Sequence, residues 1–596
     1  MNSLLRTVTI VICFFLYPHS GALCAGTQKA RVEKISFHGV NAFKEQRLLR
    51  TMITRASRLF NPYYFNEDIF DDDLKSLETF YHNNGFLDAA ISNYDVLHDS
   101  TFSRVAIDIS ISEGTVTRIE GVNVFGNTAF PDSLLIEKIG VRSGDCFLRE
   151  NINDANVTLL TLYADHGFLD AEINPDIRIN PETHFALLDY YIIEKQQFRI
   201  GGIKIKGLDK TRESVVKREI QFQSDEIINY ASLLETQRKI YMSGLFQSVF
   251  IRPRISDTGD STQKDILVEI KENFNGEFNV SLGYGSVDRA RCKMEVFNNN
   301  IRGSALKLGL TGKLSFIQQG LESSYTNPWT FGIPLRSDAN LFIEKKGEPG
   351  YEFNRLGGRI VMGHRFHNEN VTVTYRSERI ELFNVKVEDI PDELTTNIHS
   401  FKISHIHDTR NNLFNATNGL YVETGGEIGA FFTEKTSSFY RFTGMIKYFR
   451  ELNMKTVIAS SIELGLIDAK RGLSAIPLHE RFYAGGPMSL RGFKYQRLGS
   501  LDSNNLPIGG RLKIVWNLIE LRRTVYKMIG GVLFVDIGNI WSQPKNVRIR
   551  DMRISPGLGI RITTPIGLAR LDYGFNIDRK ENESGGQLYF NMGQAF

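Results

Sequence analysis

Apolar and polar residues alternate along the chain after about residue 274, in segments of about 8–12 residues. In Gly276–Gly285, the apolar residues Phe278, Val280 and Leu282 are separated by polar residues or glycine. Similar alternation recurs in residues 305–311, 337–344, 371–375, 419–429 and 530–537. A period of two residues predicts β-strands, each with one apolar face.

This half of the chain has no apolar stretch of helical length and no apolar cluster large enough for a soluble core. One face of each predicted strand must therefore meet something apolar outside the chain. A closed transmembrane barrel satisfies this requirement, because its outer face meets lipid and no strand edge is exposed to hydrocarbon. We predict a barrel over residues 275–596, with about 16 antiparallel strands at roughly 20 residues per strand and turn. A pair of soluble β-sandwiches is the alternative.

The chain before the barrel contains an internal repeat. The segment NNGFLDAAI at residues 83–91 returns as DHGFLDAEI at residues 165–173, and more loosely as MSGLFQSVFI at residues 242–251. Each copy follows an alternating strand that ends in glycine and then an amphipathic, helical stretch. Two copies close with another alternating strand, which leads into Glu113 and Glu272.

The order strand, helix, helix, strand, strand predicts a small α+β domain that is used three times. It resembles the POTRA (polypeptide-transport-associated) domain. The predicted fold class is therefore three α+β repeats followed by an all-β transmembrane barrel. The predicted repeats cover residues 31–114, 115–195 and 197–272.

Residues 1–25 are predicted to be a signal peptide. Arg6 precedes an apolar run at residues 7–17, and small residues follow. This run is typical of a secretory signal and is too short to span a bilayer comfortably. A buried N-terminal strand is one alternative. A lipid anchor on Cys24 is another, although Leu23 fits a lipoprotein signal poorly.

The net charge and the motifs that are absent limit the classes of function that the sequence supports. The formal net charge is only +3, which gives no support to a nucleic-acid partner. No phosphate-binding loop, Cys/His metal spacing or nucleophile elbow is present, so we predict neither an enzyme nor a bound cofactor or metal. Cys146 and Cys292 fall in different predicted domains, which indicates two free thiols and no disulfide framework.

The last residues of the chain are predicted to carry a localisation signal. In residues 588–596, apolar side chains alternate up to a terminal aromatic residue, Phe596. This ending resembles the terminal-strand signal by which bacterial outer-membrane barrels are recognised for insertion. It implies a barrel in the outer membrane with its repeats in the periplasm.

Six motifs in the barrel half together resemble the BamA/TamA superfamily of outer-membrane assembly factors. The three repeats resemble TamA-like members more than BamA, but repeat number varies and both assignments stay open. The motifs are YTNPW (325–329), HDTRNNLFNATNGLY (407–421), HERFYAGGPMSLRGF (479–493), NLIELR (517–522), FVDIGNIW (534–541) and GLGIRITTPIGLARLDYGF (557–575).

Arg491 lies in a loop with several glycines, which permit tight backbone turns: Gly485, Gly486 and Gly492. Glu520 and Asp536 each alternate with apolar neighbours that must face lipid, so both carboxylates are predicted to face inward. An arginine and two carboxylates can form a charge-assisted clamp. The family resemblance implies that this loop folds into the lumen as a plug. The predicted lumen clamp consists of Arg491, Gly492, Phe493, Glu520 and Asp536. The alternative places Arg491 on a solvated extracellular loop and leaves Asp536 lining a wet lumen.

The resemblance implies an assembly factor whose repeats receive unfolded outer-membrane proteins by adding a client strand to a sheet edge. Its barrel would open in the lipid bilayer along a lateral seam between residues 276–285 and 587–596. Periplasmic or lipoprotein accessory subunits are further expected partners. The main alternative is a secretion pore of the two-partner type, and a passive porin is a third reading. The predicted seam residues are Phe278, Val280, Leu282, Phe590 and Phe596.

Overall fold

The structure is a computed structural model. It describes residues 30–593, apart from residues 58–61, 102, 257–258, 389–393, 414, 433–435, 454, 527, 565–566 and 582. The predicted signal peptide and the terminal residue Phe596 lie outside the described residues.

The first two repeats share one topology, in which the third strand lies in the middle of the sheet. The first strand pairs with it in parallel and the second strand in antiparallel. Both helices of each repeat contribute buried side chains to one core with the sheet, such as Leu77 in the first repeat and Leu159 in the second. The first repeat consists of β1 (Arg31–His38), α1 (Glu45–Thr51), α2 (Glu67–Asn83), β2 (Ala90–His98) and β3 (Arg104–Ser112). The second consists of β4 (Arg118–Phe125), α3 (Asp132–Ile139), α4 (Arg149–Asp165), β5 (Glu172–Asn180) and β6 (Phe185–Ile193).

The third repeat has the same element order, and its sheet again has the third strand in the middle. The chain divides into two compact units, and segments of this repeat belong to both. Residues 205–220, 238–250 and 269–272 fall in the unit that contains the barrel, and the remainder falls in the unit of the first two repeats. Its elements are β7 (Arg199–Lys206), α5 (Glu213–Lys217), α6 (Tyr230–Met242), β8 (Phe246–Ile255) and β9 (Gln263–Glu272).

A glutamate closes each repeat at or directly after the end of its last strand. In the second repeat, Glu194 accepts hydrogen bonds from the backbone amides of Thr128 and Ala129 at 2.8 and 2.9 Å and from the Tyr163 hydroxyl at 2.9 Å. Burial opposes ionisation of Glu194, but these donors and the Thr128 hydroxyl outweigh it and hold the pKa of the carboxyl below its usual range. Glu113 and Glu272 accept equivalent backbone amides in their own repeats. The sequence pattern indicated only Glu113 and Glu272.

Sixteen antiparallel strands form a closed barrel, which confirms the predicted architecture. Each strand pairs with its neighbours in sequence order, and the first and last strands close the ring. Within the described part of the chain, no helix is long and apolar enough to cross a membrane. The strands are β10 (Gly276–Gly285), β11 (Arg289–Ile301), β12 (Leu306–Ser315), β13 (Gln318–Asn327), β14 (Arg336–Glu348), β15 (Tyr351–Phe366), β16 (Glu369–Phe383), β17 (Thr395–Asp408), β18 (Gly419–Phe432), β19 (Ser437–Asn453), β20 (Thr456–Ala469), β21 (Leu512–Tyr526), β22 (Ile529–Trp541), β23 (Arg553–Thr564), β24 (Gly567–Phe575) and β25 (Gly586–Gly593).

Alternation along the strands separates an apolar outer face from a polar inner face. On β22, for example, Leu533 on the outer face is 60% exposed, while Phe534 and Asp536 on the inner face are buried. Because lipid covers the outer face of such a barrel, the exposed apolar residues need no protein partner. Inward-facing side chains can therefore contact a segment that folds into the barrel.

Candidate functional site: a lumen loop and a short seam

The segment between β20 and β21, residues 470–511, folds inside the barrel, and we call it the lumen loop. Its apolar residues Ile476, Leu478 and Leu490 are completely buried. The loop makes polar contacts with inward-facing residues on well-separated strands, which anchors it at several points of the wall. These wall residues are Glu348, Arg376, Arg441, Asp536 and Tyr589.

Arg491 of the lumen loop binds two carboxylates of the wall. Its Nη2 and Nε donate to Asp536 Oδ1 and Oδ2 at 2.8 and 2.9 Å, and its Nη1 donates to Glu520 Oε2 at 2.6 Å. The guanidinium carbon also lies 3.4 Å from the ring centre of Phe534. Since Arg491 is 5% exposed and Asp536 is fully buried, the loss of either residue would leave the other buried without this ion pair.

A β-bulge at Leu518 determines which residues of β21 face the lumen. Asn517 pairs with Asp536 and Ile519 pairs with Val535, so the register skips Leu518. As a result, Asn517 and Glu520 face the same side although they are an odd number of residues apart. The side-chain amide of Asn517 donates to Asp536 Oδ1 at 2.8 Å. The two-residue alternation predicted the inward position of Glu520. It missed Asn517, because the side chain at this position would face outward in a regular strand.

The glycines of the lumen loop have two different roles. Gly485 and Gly486 adopt φ angles of +99° and +110°, so they make the turns expected of them. Gly492 also lies in a turn, closed by the hydrogen bond from the Phe493 amide to the Leu490 carbonyl at 3.3 Å, but its φ is not positive, so the turn itself does not require glycine. A methyl group at Gly492 would instead come within 2.5 Å of the Phe575 carbonyl oxygen and the Ser555 Oγ. Glycine at this position lets the loop backbone lie directly on β23 and β24.

Phe493 is held from two sides. Its ring is buried, and the guanidinium carbon of Arg553 lies 4.8 Å from the ring centre. Its backbone carbonyl accepts a hydrogen bond of 2.7 Å from the Tyr589 hydroxyl of β25. The structure therefore brings together all five residues of the predicted clamp and adds Asn517, Arg553 and Tyr589 around them.

Glu480 forms a second charged anchor of the lumen loop, which the sequence interpretation missed. Arg376 of β16 donates to Glu480 at 2.9 Å, and Arg441 of β19 also donates to it. Both arginines bind Glu427 of β18 as well, at 2.7 and 3.1 Å. Each arginine alternates with apolar residues in its strand, so its inward position was predictable. Nothing in the sequence, however, links these strands to Glu480.

The seam between the first and last strands is short. All ten residues of β10 pair with β11, whereas three of them, Gly283, Tyr284 and Gly285, pair with described residues of β25. Ser286 adds backbone and side-chain hydrogen bonds to Phe590 just beyond the strand. Within the described residues, the edge of β10 from Gly276 to Leu282 has no strand partner on the β25 side.

The predicted seam residues lie along this edge. Phe278, Val280 and Leu282 are 66%, 48% and 71% exposed on the outer face. The ring of Phe590 lies 6.1 Å from that of Tyr284. Of the five predicted seam residues, three therefore lie on β10 and Phe590 lies on β25, and Phe596 is outside the described range. Among the described residues, no cluster of histidine, cysteine, aspartate or glutamate is arranged to hold a metal ion.

A closed sixteen-strand barrel with a lumen loop, a short seam and N-terminal repeats defines a class of outer-membrane protein. The Omp85 superfamily domain matches residues 300–596, and the POTRA repeat, described as a surface antigen variable number repeat, matches residues 30–114, 117–195 and 198–273. The chain belongs to the Omp85 superfamily. Its barrel lies in the outer membrane and its repeats lie in the periplasm.

Several similar proteins carry the name BamA. The outer membrane protein assembly factor BamA of Nitratidesulfovibrio vulgaris is 23% identical over 95% of this chain and 74% of its own length. BamA of Neisseria meningitidis serogroup B is 20% identical over 96% of this chain and 78% of its own length. The crystal structure of BamA from Haemophilus ducreyi lacking POTRA domains 1–3 aligns with a TM-score of 0.68 at 20% identity, covering 80% of this chain and 99% of that one. At this identity, the structural likeness shows the fold.

Proposed function

We propose that this protein assembles other outer-membrane proteins, and that clients leave through the seam between β10 and β25. The observation that carries the proposal is the edge of β10, which among the described residues shares three pairs with β25 but ten with β11. Its backbone groups can pair with an incoming strand, just as β11 pairs with them on the other side. The exposed apolar side chains along this edge suit an opening that faces lipid.

The periplasmic repeats offer a second place for client strands. In the first repeat, β2 lies at one edge of the sheet and pairs only with β3 among the described residues. Tyr94 and Leu97 on this strand are 46% and 57% exposed. An unfolded client, or an accessory subunit in the periplasm, could add a strand here through backbone hydrogen bonds.

The lumen loop supports assembly over secretion through the lumen. A pore that exports polypeptide must empty its lumen, and this loop is anchored by two buried ionic clusters, at Arg491 and at Glu480. Opening the seam breaks three strand pairs among the described residues and none of the contacts at these two clusters. We therefore place the secretion pore second.

A cross-link across the seam tests the proposal. We would replace Tyr284 and Met592, which lie opposite each other, with cysteine in a background in which Cys146 and Cys292 are serine. Reconstituted in liposomes, the oxidised protein should lose client-barrel insertion and regain it after reduction. A matched cysteine pair at Leu321 and Ile343, opposite each other on the outer faces of β13 and β14, should leave insertion unchanged. Insertion that persists with the seam locked, or export of polypeptide through the locked barrel, would contradict the proposal.

A further inference from the structure

Tyr589 connects the lumen loop to the last strand of the barrel. It lies on the inner face of β25, opposite Asp572, and is 6% exposed. Its hydroxyl donates to the Phe493 carbonyl of the loop at 2.7 Å. Among the described residues, no other side chain of β25 makes a hydrogen bond to the lumen loop.

On its seam side, the described part of the last strand pairs with β10 over a short stretch. Three of its residues, Asn591, Met592 and Gly593, pair with β10. Tyr589 lies two residues before Asn591, so its hydrogen bond to the lumen loop anchors β25 close to the pairs with β10. On its other side β25 pairs with β24 from Gly586 to Asn591. A displacement of β25 away from β10 would move the Tyr589 ring relative to a loop backbone that is itself fixed.

The loop backbone is fixed at this point by contacts that do not involve β25. Arg491 binds Asp536 and Glu520, and Gly492 lies against Phe575. The Phe493 carbonyl also accepts the Gly486 amide at 3.1 Å, so it is oriented within the loop itself. The acceptor of the Tyr589 hydroxyl is thus held in place whether or not the seam is closed.

We propose that Tyr589 is a positioning residue, which couples the seated lumen loop to closure of the seam. While the loop is seated, the hydroxyl holds β25 against β10. When Arg491 releases its carboxylates, the acceptor moves and the terminal strand loses this support. The inference rests on the proposed function in that it takes the seam as the opening, but its test needs no client protein.

Hydrogen exchange of the seam amides tests this coupling in the full-length protein in proteoliposomes. The exchange rate of residues 283–286 and 590–592 reports the fraction of molecules with an open seam. Tyr589→Phe keeps the ring and removes the buried hydroxyl that donates to the Phe493 carbonyl, so we expect these rates to rise about three- to tenfold. Amides of β15 and β16 should exchange as in the parent protein. Unchanged seam exchange in a barrel that is otherwise folded would overturn the proposal.

Tyr483→Phe is the matched control, because the Tyr483 hydroxyl also donates to a backbone carbonyl in the lumen loop, that of Leu478 at 2.8 Å. This variant should leave seam exchange unchanged, and an equal rise would attribute the effect to loop stability in general. The variant Arg491→Ala gives an independent arm if Tyr589→Phe folds poorly. It should also speed seam exchange, and in the double variant the two effects should fall short of additive. Full additivity would contradict the coupling. A parent protein that inserts no clients would refute the proposed function but not this comparison.

Discussion

Gly492 of the lumen loop lies directly on the Phe575 carbonyl of β24, so closely that a methyl group at Gly492 would come within 2.5 Å of that oxygen. Gly574 of β24 faces the loop in the same way, because a methyl group at Gly574 would meet the backbone of Arg491. Two backbones therefore touch at this point without side chains between them. This contact sets the depth at which Arg491 enters the wall.

The substitution Gly492→Ala should displace the loop without removing any charged group. Because the methyl group would meet backbone, which cannot rotate away, the Arg491 guanidinium should move from Asp536. We expect faster protease cleavage of the lumen loop and reduced assembly activity in the variant. Gly472→Ala, at a loop position where a methyl group would meet only the end of the Arg511 side chain, controls for added volume, but its φ of +75° adds strain of its own. A lumen loop that stays protected in Gly492→Ala would contradict this account.

The charged clamp should behave as one unit. In Arg491→Ala the buried Asp536 loses its ion pair, and in Asp536→Ala the buried Arg491 keeps Glu520 alone, so we expect each change to cost roughly 3 kcal/mol. That cost corresponds to about a hundredfold more molecules with a released loop. Arg491→Lys should not restore the clamp, because a single ammonium cannot reproduce the contacts of Nε, Nη1 and Nη2.

A double-mutant cycle measures this coupling through hydrogen exchange of residues 489–493. The double variant should be little worse than either single variant, since the second substitution removes the stranded charge. Additive losses would show that Arg491 and Asp536 stabilise the loop independently.

The period-two pattern was sufficient to predict the strands, because lipid outside and polar groups inside impose opposite chemistry on alternate residues. The same alternation predicted that Glu520 and Asp536 face inward. It failed at Asn517, because the bulge at Leu518 shifts the phase and leaves no trace in the local sequence. It could not predict the binding of Glu480 by Arg376 and Arg441, since these residues are distant in the chain and meet only after the barrel closes. The role of Gly492 depends on the position of Phe575, which is equally non-local.

The terminal residue Phe596 is predicted to direct the protein to the outer membrane. Deletion of Phe596 should leave the chain in the periplasm as a protease-sensitive aggregate, because the signal for barrel insertion ends at an aromatic side chain. Phe596→Tyr keeps the ring and should still reach the membrane. Cell fractionation and heat-modifiable migration in gels give the measurement. A normal amount of heat-modifiable barrel in the outer membrane after the deletion would contradict this role of Phe596.

Glu194 should make the second repeat sensitive to acid. Its pKa in the folded repeat lies below the ordinary value of 4.5, so the ionised carboxylate stabilises the fold. For a group whose pKa is depressed on folding, this stabilisation is present above the unfolded pKa and is lost as the pH falls through the folded pKa. We therefore expect the repeat to keep its stability down to about pH 4.5 and to lose it progressively below. Hydrogen exchange of the Thr128 and Ala129 amides, which donate directly to Glu194, should accelerate over the same range.

The substitution Glu194→Gln separates this charge from the general effects of acid. It keeps the shape of the side chain but places an amide among donors, so it should lower the free energy of unfolding by about 1–3 kcal/mol at neutral pH. The acid-dependent part of the exchange at Thr128 and Ala129 should then become much smaller. Glu150→Gln, at an exposed position of α4, should leave the parent profile intact. If Glu194→Gln lost stability with falling pH as steeply as the parent protein, another group would be responsible, and the hydrogen bonds of Glu194 would not explain the acid sensitivity of the repeat.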